Sequence, residues 1–290
     1  MDAERLLAKY VVETDYEDLP PAVVSVVKDH IFDMLGTVLG GSAGPGCATV
    51  VDLAKEWGGK AESTILAYGG KVPSPQAALA NSTMGHALDF DDNDDRIAYK
   101  GSVTVVPAAL AVAEAKGGVS GKQFITAVCQ GLDVGCRIGL ATNPKPSHAG
   151  APAPGYFGSA VACAKVLGLD EEQVLDAMSI SYCQLAVGGL SIIAPALTKR
   201  LTAGFSARAG AFAATLASRG FPGSRGIFQG ERGYFPLYRG REGDLETLTQ
   251  DLGKKFEIIH CPKPYPSCRF TQAPIDATFA LLKEYKLRPE

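Results

Sequence analysis

Apolar residues recur with helical spacing through most of the chain. Behind Pro20-Pro21, the residues Val23, Val24, Val26, Val27, Ile31, Met34, Leu35 and Leu39 follow a 3.6-residue period, and Gly40-Gly41 closes the run. This pattern predicts a buried helix, and a second helix is predicted over 46–57. Ser63 to Tyr68, ahead of Gly69-Gly70, is β-branched and aromatic and reads as a short strand. From Ser74-Pro75 to about Leu88 an alanine-rich helix carries Asn81, Ser82, Thr83 and His86 on its apolar face and ends in an acidic segment. Pro107 is expected to open a helix through Ala115, and Ser120 to cap another over 122–140. Residues 155–167 and 171–187 form an alanine-rich pair in which Asp170 can cap the second member, 204–219 continues the pattern, and Ile275 to Tyr285 adds a last helix. Some eight helices against one or two strands imply a mainly α fold. Pro262-Lys263-Pro264-Tyr265-Pro266 marks a change of character near 260, so a helical domain over 1–260 and the start of a second unit over 261–290 are expected.

Composition narrows the function. With 46% hydrophobic and 20% charged residues and a net charge of −3 over 290 residues, the chain has a large core and no global field to draw it to nucleic acid or an anionic membrane. Lys28, Asp29, His30 and Asp33 interrupt the long apolar run, which excludes it as a membrane span. The acidic N-terminus lacks the features of a secretory signal, and seven cysteines without close pairs suit neither a disulfide framework nor a zinc site. A cytoplasmic protein acting on a small molecule is the expectation.

The densest chemistry is His86-Ala87-Leu88-Asp89-Phe90-Asp91-Asp92-Asn93-Asp94-Asp95, with five carboxylates in seven residues. Crowded negative charges raise one another's pKa and invite a cation or a proton-transfer role, whereas the plainer alternative is a solvated loop at a helix end. His86 and Asp89 share a helical face, but the EF-hand pattern is missing and no metal is predicted. Of the four histidines, His30 falls in the first core helix and reads as structural, while His148 sits in a loop able to reach a cleft. Thr198-Lys199-Arg200 is a cationic stop suited to a substrate carboxylate, or else a surface turn. Gly155-Tyr156-Phe157-Gly158 and Gly188-Gly189 match no nucleotide-binding fingerprint, so no cofactor is predicted.

Taken in order, several strings resemble the MmgE/PrpD family. They are Gly85-His86-Ala87-Leu88-Asp89-Phe90-Asp91-Asp92, Val106-Pro107-Ala108-Ala109-Leu110-Ala111, Phe157-Gly158-Ser159-Ala160 with Leu167-Gly168-Leu169, Thr198-Lys199-Arg200-Leu201 with Ala203-Gly204, and Tyr265-Pro266-Ser267-Cys268-Arg269. That family contains 2-methylcitrate dehydratase, cis-aconitate decarboxylase and iminodisuccinate epimerase, cofactor-free enzymes of small di- and tricarboxylates. The resemblance implies a helical domain with a smaller α/β lid, usually in a homodimer, and a site between the two domains.

It further implies catalytic roles for Asp89, Lys100, His148 and Lys199. Substrate-binding roles follow for His86, Asn93, Tyr99, Ser102, Arg269 and Gln272. Where the family usually reads His-Pro-Ser, this chain has Tyr99-Lys100-Gly101-Ser102, and Gln272 and Thr202 stand where histidines are usual. Lys100, Tyr99 or His148 would then be the base, with Asp89 orienting it, Lys100 acting as one only if burial or a cationic neighbour such as Lys199 lowers its pKa. Proton abstraction α to a carboxylate is the implied chemistry. A non-catalytic member binding a polycarboxylate or a lid-bearing partner chain is the rival reading, and a Schiff-base enzyme using Lys100 or Lys199 a third. The chain is expected to stop where the lid begins.

Overall fold

The computed structural model describes residues 2–97, 99–142, 153–185, 196–240 and 243–287. Among them, helices α1 (Ala3–Glu13), α2 (Pro21–Gly41) and α3 (Cys47–Trp57) precede a two-stranded antiparallel ribbon, β1 (Ser63–Thr64) with β2 (Lys71–Val72), in which Ser63 faces Val72. Then come α4 (Ser74–Gly85), α5 (Gly101–Ala115), α6 (Gly121–Leu140), α7 (Ala153–Leu167), α8 (Glu171–Tyr182) and α9 (Thr198–Ala217). Two short helices, α10 (Tyr234–Arg239) and α11 (Leu245–Thr249), lead to α12 (Gln272–Tyr285). The fold is mainly α, as the apolar periodicity implies.

Helix α7 is the centre of the bundle. Of its residues only Lys165 and Leu167 escape burial, the mark of a helix surrounded on all sides. It packs against α5, α6, α8 and α9. Small residues set the closeness of these packings: a Cβ on Gly131 of α6 would stand 2.5 Å from the Gly158 carbonyl of α7, and one on Gly210 of α9 would stand 2.2 Å from the Ser159 hydroxyl. Caps fix the helix starts as read from sequence. Ser120 and Gln123 form a reciprocal capping box on α6, and Asp170 and Gln173 form another on α8.

Pro107 does not open α5. It lies inside that helix, which begins six residues earlier at Gly101. Proline cannot donate to the carbonyl four residues back, that of Val103, and the Ser82 hydroxyl of α4 takes over that acceptor at 2.6 Å. The helix therefore continues through the proline, and Lys100 becomes its N-cap residue. Likewise Lys199 belongs to the first turn of α9 rather than to a turn between helices.

Beyond α11, the chain is pinned along the helical body. Arg137 and Asp133 of α6 form a wholly buried pair at 2.7 Å. Arg137 also donates to the carbonyls of Gln250 and Lys255, and Asp133 accepts from the Glu257 amide at 2.6 Å and the Tyr10 hydroxyl at 2.9 Å. Each charged atom is thereby satisfied, the condition under which a buried ion pair is tolerated. This anchorage steers 258–263 towards the acidic segment after α4.

Candidate active site

Four stretches of chain meet at Asp89. The loop after α4 supplies Asp89 itself, whose φ of 52° places it in the left-handed region that short polar side chains tolerate. Lys100 at the head of α5 reaches Asp89 Oδ1 at 2.9 Å and Asp91 Oδ2 at 3.2 Å. Lys199 in the first turn of α9 reaches Asp89 Oδ2 at 2.5 Å. Lys263, from the far end of the chain, donates to the Asp89 backbone carbonyl and stands 3.6 Å from Oδ1. Three ammonium groups thus converge on one aspartate. Of the three, only Lys199 is substantially open to solvent, at 36% side-chain exposure against 14% for Lys100 and none for Lys263, so the cluster opens to solvent on its side.

The acidic run is not a solvated loop. Asp91 pairs with His86 Nδ1 at 2.7 Å, and Asp92 accepts from the Ser102 hydroxyl and lies 3.0 Å from His30 Nδ1. Asp94 holds Arg96, and Asp95 holds Arg269 and accepts from Asn93. Every carboxylate of the run has a partner. His86, Asp89 and Asp91 bring ligand atoms within 4.8 Å of one another, but lysines already occupy both carboxylates, and a divalent cation would have to displace them.

Electrostatics follow from this pairing. Burial would push the Asp89 carboxyl up, but Lys100, His86 and Lys199 hold it well below the usual carboxylate range. Asp91 is depressed against its burial by His86 and Lys100. Lys100 is pulled down by burial, yet Asp91 and Asp89 outweigh this and raise it above an ordinary lysine. The lowering that a base at Lys100 requires does not prevail. Lys263 moves the other way: burial and then the neighbouring Lys100 ammonium lower it.

The sequence-derived candidates separate accordingly. Asp89, His86, Lys100 and Lys199 are brought together. Tyr99 is not: its ring is buried among Gly101, Gly135 of α6 and Gly158 of α7, and burial pushes its phenol well up. Asn93 and Ser102 bond to carboxylates of the acidic run, and Arg269 ties Asp95 to the C-terminal stretch. Gln272 spends its amide on Tyr265, Ser267 and Cys268, shaping that turn. His148 lies outside the described residues. Lys263 was missed; its only signal was the Pro-Lys-Pro spacing.

The family model described as the MmgE/PrpD N-terminal domain matches residues 5–244. Cis-aconitate decarboxylase of Aspergillus terreus is 28% identical over 287 residues, covering 93% of this chain and 58% of that protein. The cis-aconitate decarboxylase-like protein oryM of Aspergillus oryzae is 26% identical over 279 residues, covering 90% and 58%. The chain therefore spans under two thirds of the length of these relatives.

Proposed function

The chain belongs to the MmgE/PrpD family, and from that premise we propose that it forms the substrate-binding body of a lyase acting on a small di- or tricarboxylate. The observation that carries this reading is the convergence of Lys100, Lys199 and Lys263 on Asp89. With Lys263 as the neutral base, the Lys100 and Lys199 ammonium groups balance Asp89 and Asp91, and a substrate carboxylate that displaces Asp89 from Lys199 finds a cation in place. Lys199, the exposed member, meets the first substrate carboxylate in place of Asp89.

In this reading Lys263 moves the proton, because it is the lysine whose surroundings favour losing one. It accepts the proton α to a carboxylate. The electron pair left behind delocalises into that carboxylate as an enediolate, whose charge the fixed cations Lys100 and Lys199 stabilise. In a decarboxylation, the activity for which the Aspergillus relatives are named, the C–C bond to one carboxylate breaks, CO2 leaves, the pair of that bond stays on the carbon, and Lys263 in its protonated form supplies the proton that the carbon takes up. Lys100, held as a cation, serves as an electrostatic group rather than as the base.

Residues 261–290 are read as the beginning of a covering unit. Helix α12 is buried only at Gln272 and leaves Phe279 and Tyr285 exposed. Closure over the lysines would exclude water and strengthen their field. Assembly as a homodimer belongs to the same reading.

The test is solvent deuterium exchange. In heavy water with cis-aconitate, 2-methylcitrate or an aspartate-like diacid, one acid is expected to gain deuterium at a carbon beside a carboxylate, and Lys263→Met to abolish the gain. Tight binding without incorporation into any acid would favour the non-catalytic reading.

A further inference from the structure

The three lysines at Asp89 face different acceptors. Lys100 reaches two carboxylate oxygens, Asp89 Oδ1 at 2.9 Å and Asp91 Oδ2 at 3.2 Å, and Lys199 reaches Asp89 Oδ2 at 2.5 Å. An ammonium held by carboxylates has no lone pair with which to form a covalent bond. Lys263 is placed otherwise. Among the described residues it donates to the backbone carbonyl of Asp89, a neutral acceptor, while the Asp89 carboxylate stands beyond hydrogen-bonding range at 3.6 Å. Its side chain is wholly buried, and burial and then the neighbouring Lys100 ammonium favour its neutral form. Desolvation and a cationic neighbour are the conditions that make a lysine nucleophilic.

The Asp89 carboxylate outlines what this amine can meet. It is a planar carbon–oxygen unit whose Oδ1 accepts from Lys100, whose Oδ2 accepts from Lys199, and whose Oδ1 lies 3.6 Å from Lys263 Nζ. A ligand that displaces Asp89 inherits this frame. A keto group seated there has its oxygen on the Lys100 ammonium, which polarises it, and stands close to the roughly 3–3.5 Å of a near-attack approach by Lys263. A carboxylate of the same ligand meets Lys199.

We propose that Lys263 is a Schiff-base lysine and that this centre decarboxylates a small diacid with a keto group β to one carboxylate. The proposal rests on the reading of the Asp89 centre as the substrate site. It goes beyond that reading because the lone pair that takes a proton from a substrate without a keto group adds to carbon in one that has it.

The Lys263 lone pair adds to the keto carbon, the oxygen takes up protons and leaves as water, and a cationic iminium remains. The bond from the adjacent carbon to its carboxylate then breaks, CO2 departs, and the pair of that bond flows into the iminium to give an enamine. Protonation of that carbon and addition of water return the neutral amine and release an oxo monoacid. In sum, the oxo diacid takes up one proton and yields the oxo monoacid and CO2, with no oxidant or reductant consumed.

Reductive trapping on the full chain is the test. With 3-oxoglutarate or oxaloacetate present, cyanoborohydride converts the iminium into a stable secondary amine, which peptide mass mapping locates. In the wild type the adduct is expected on the peptide carrying Lys263, in about ten-fold higher yield than on any other lysine peptide, and citrate is expected to suppress it. Lys263→Arg keeps a cation without a nucleophile and is expected to lose both the adduct and the accelerated release of CO2 from 3-oxoglutarate. An adduct centred on Lys100 or Lys199, one spread evenly over the lysines, or none at all overturns the proposal. Trapping reads a carbon–nitrogen bond, whereas solvent deuterium reads a carbon–hydrogen bond in acids without a keto group. A failed trap with deuterium gain intact therefore sinks the Schiff base alone, and loss of both together with citrate binding sinks the site on which both rest.

Discussion

Lys263 donates to the backbone carbonyl of Asp89 across 174 residues of chain, and its side chain is wholly buried in doing so. The contact links the stretch around 263 to the loop after α4, so Lys263 reaches Asp89 only when both segments are in place. Lys263→Met keeps length and apolar volume while removing the ammonium. It is expected to lower turnover by about 10²- to 10⁴-fold, the usual worth of a positioned proton-transfer group. Steady-state kinetics of deuterium incorporation measure it.

Lys199 plays a different part, and its variant should show a different signature. As the solvent-facing ammonium it meets substrate first. Lys199→Met is expected to raise KM or Kd by about 10- to 100-fold, corresponding to one charge-assisted hydrogen bond of roughly 1.5–3 kcal/mol. Calorimetric titration separates this from an effect on kcat.

Tyr99 transfers no proton. Its hydroxyl is buried without a well-aligned partner among the described residues. Tyr99→Phe is expected to leave turnover unchanged and stability equal or slightly higher, since it removes a buried, poorly satisfied polar atom. Gly135→Ala makes the complementary case: the new Cβ would stand 2.4 Å from that hydroxyl, and overpacking of this kind costs about 1–3 kcal/mol. Urea unfolding of both variants reads the two effects.

Asp33 gives a pH signature of its own. Burial and the neighbouring Asp92 push its carboxyl up to about 6. A folded pKa above the unfolded value near 4 means that the folded state binds more protons between these values, so this group makes stability fall as pH rises from about 4 to 6. Asp33→Asn is expected to remove that dependence and to gain on the order of 1 kcal/mol at neutral pH, the partial exposure of the side chain screening the rest. Asp89 and Asp91 act oppositely. Their depressed carboxyls stabilise the fold above about pH 4, and that contribution is lost on further acidification.

Legibility in the sequence divides along physical lines. Helices that bury one face, such as α2, or that carry a capping box, such as α6 and α8, announce themselves through local spacing. α5 is misread at its start because the hydroxyl that rescues Val103, from Ser82, comes from another helix. The same holds within the site. Asp89 and Lys199 are visible through strings that resemble a known family, whereas Lys263 comes to Asp89 through a partner 174 residues away. The five crowded carboxylates suggested shifted acids or a cation site; their pairing with lysines, histidines and arginines was set by tertiary structure.

The central claim is that the lysines around Asp89 form a polycarboxylate site, and equilibrium binding tests it most directly. Calorimetric titration of the wild type and Lys199→Met with cis-aconitate, citrate and acetate is the measurement. A di- or tricarboxylate is expected to bind the wild type far more tightly than acetate, and the preference to collapse in the variant. Equal, weak binding of all three acids, or a preference untouched by Lys199→Met, would contradict it.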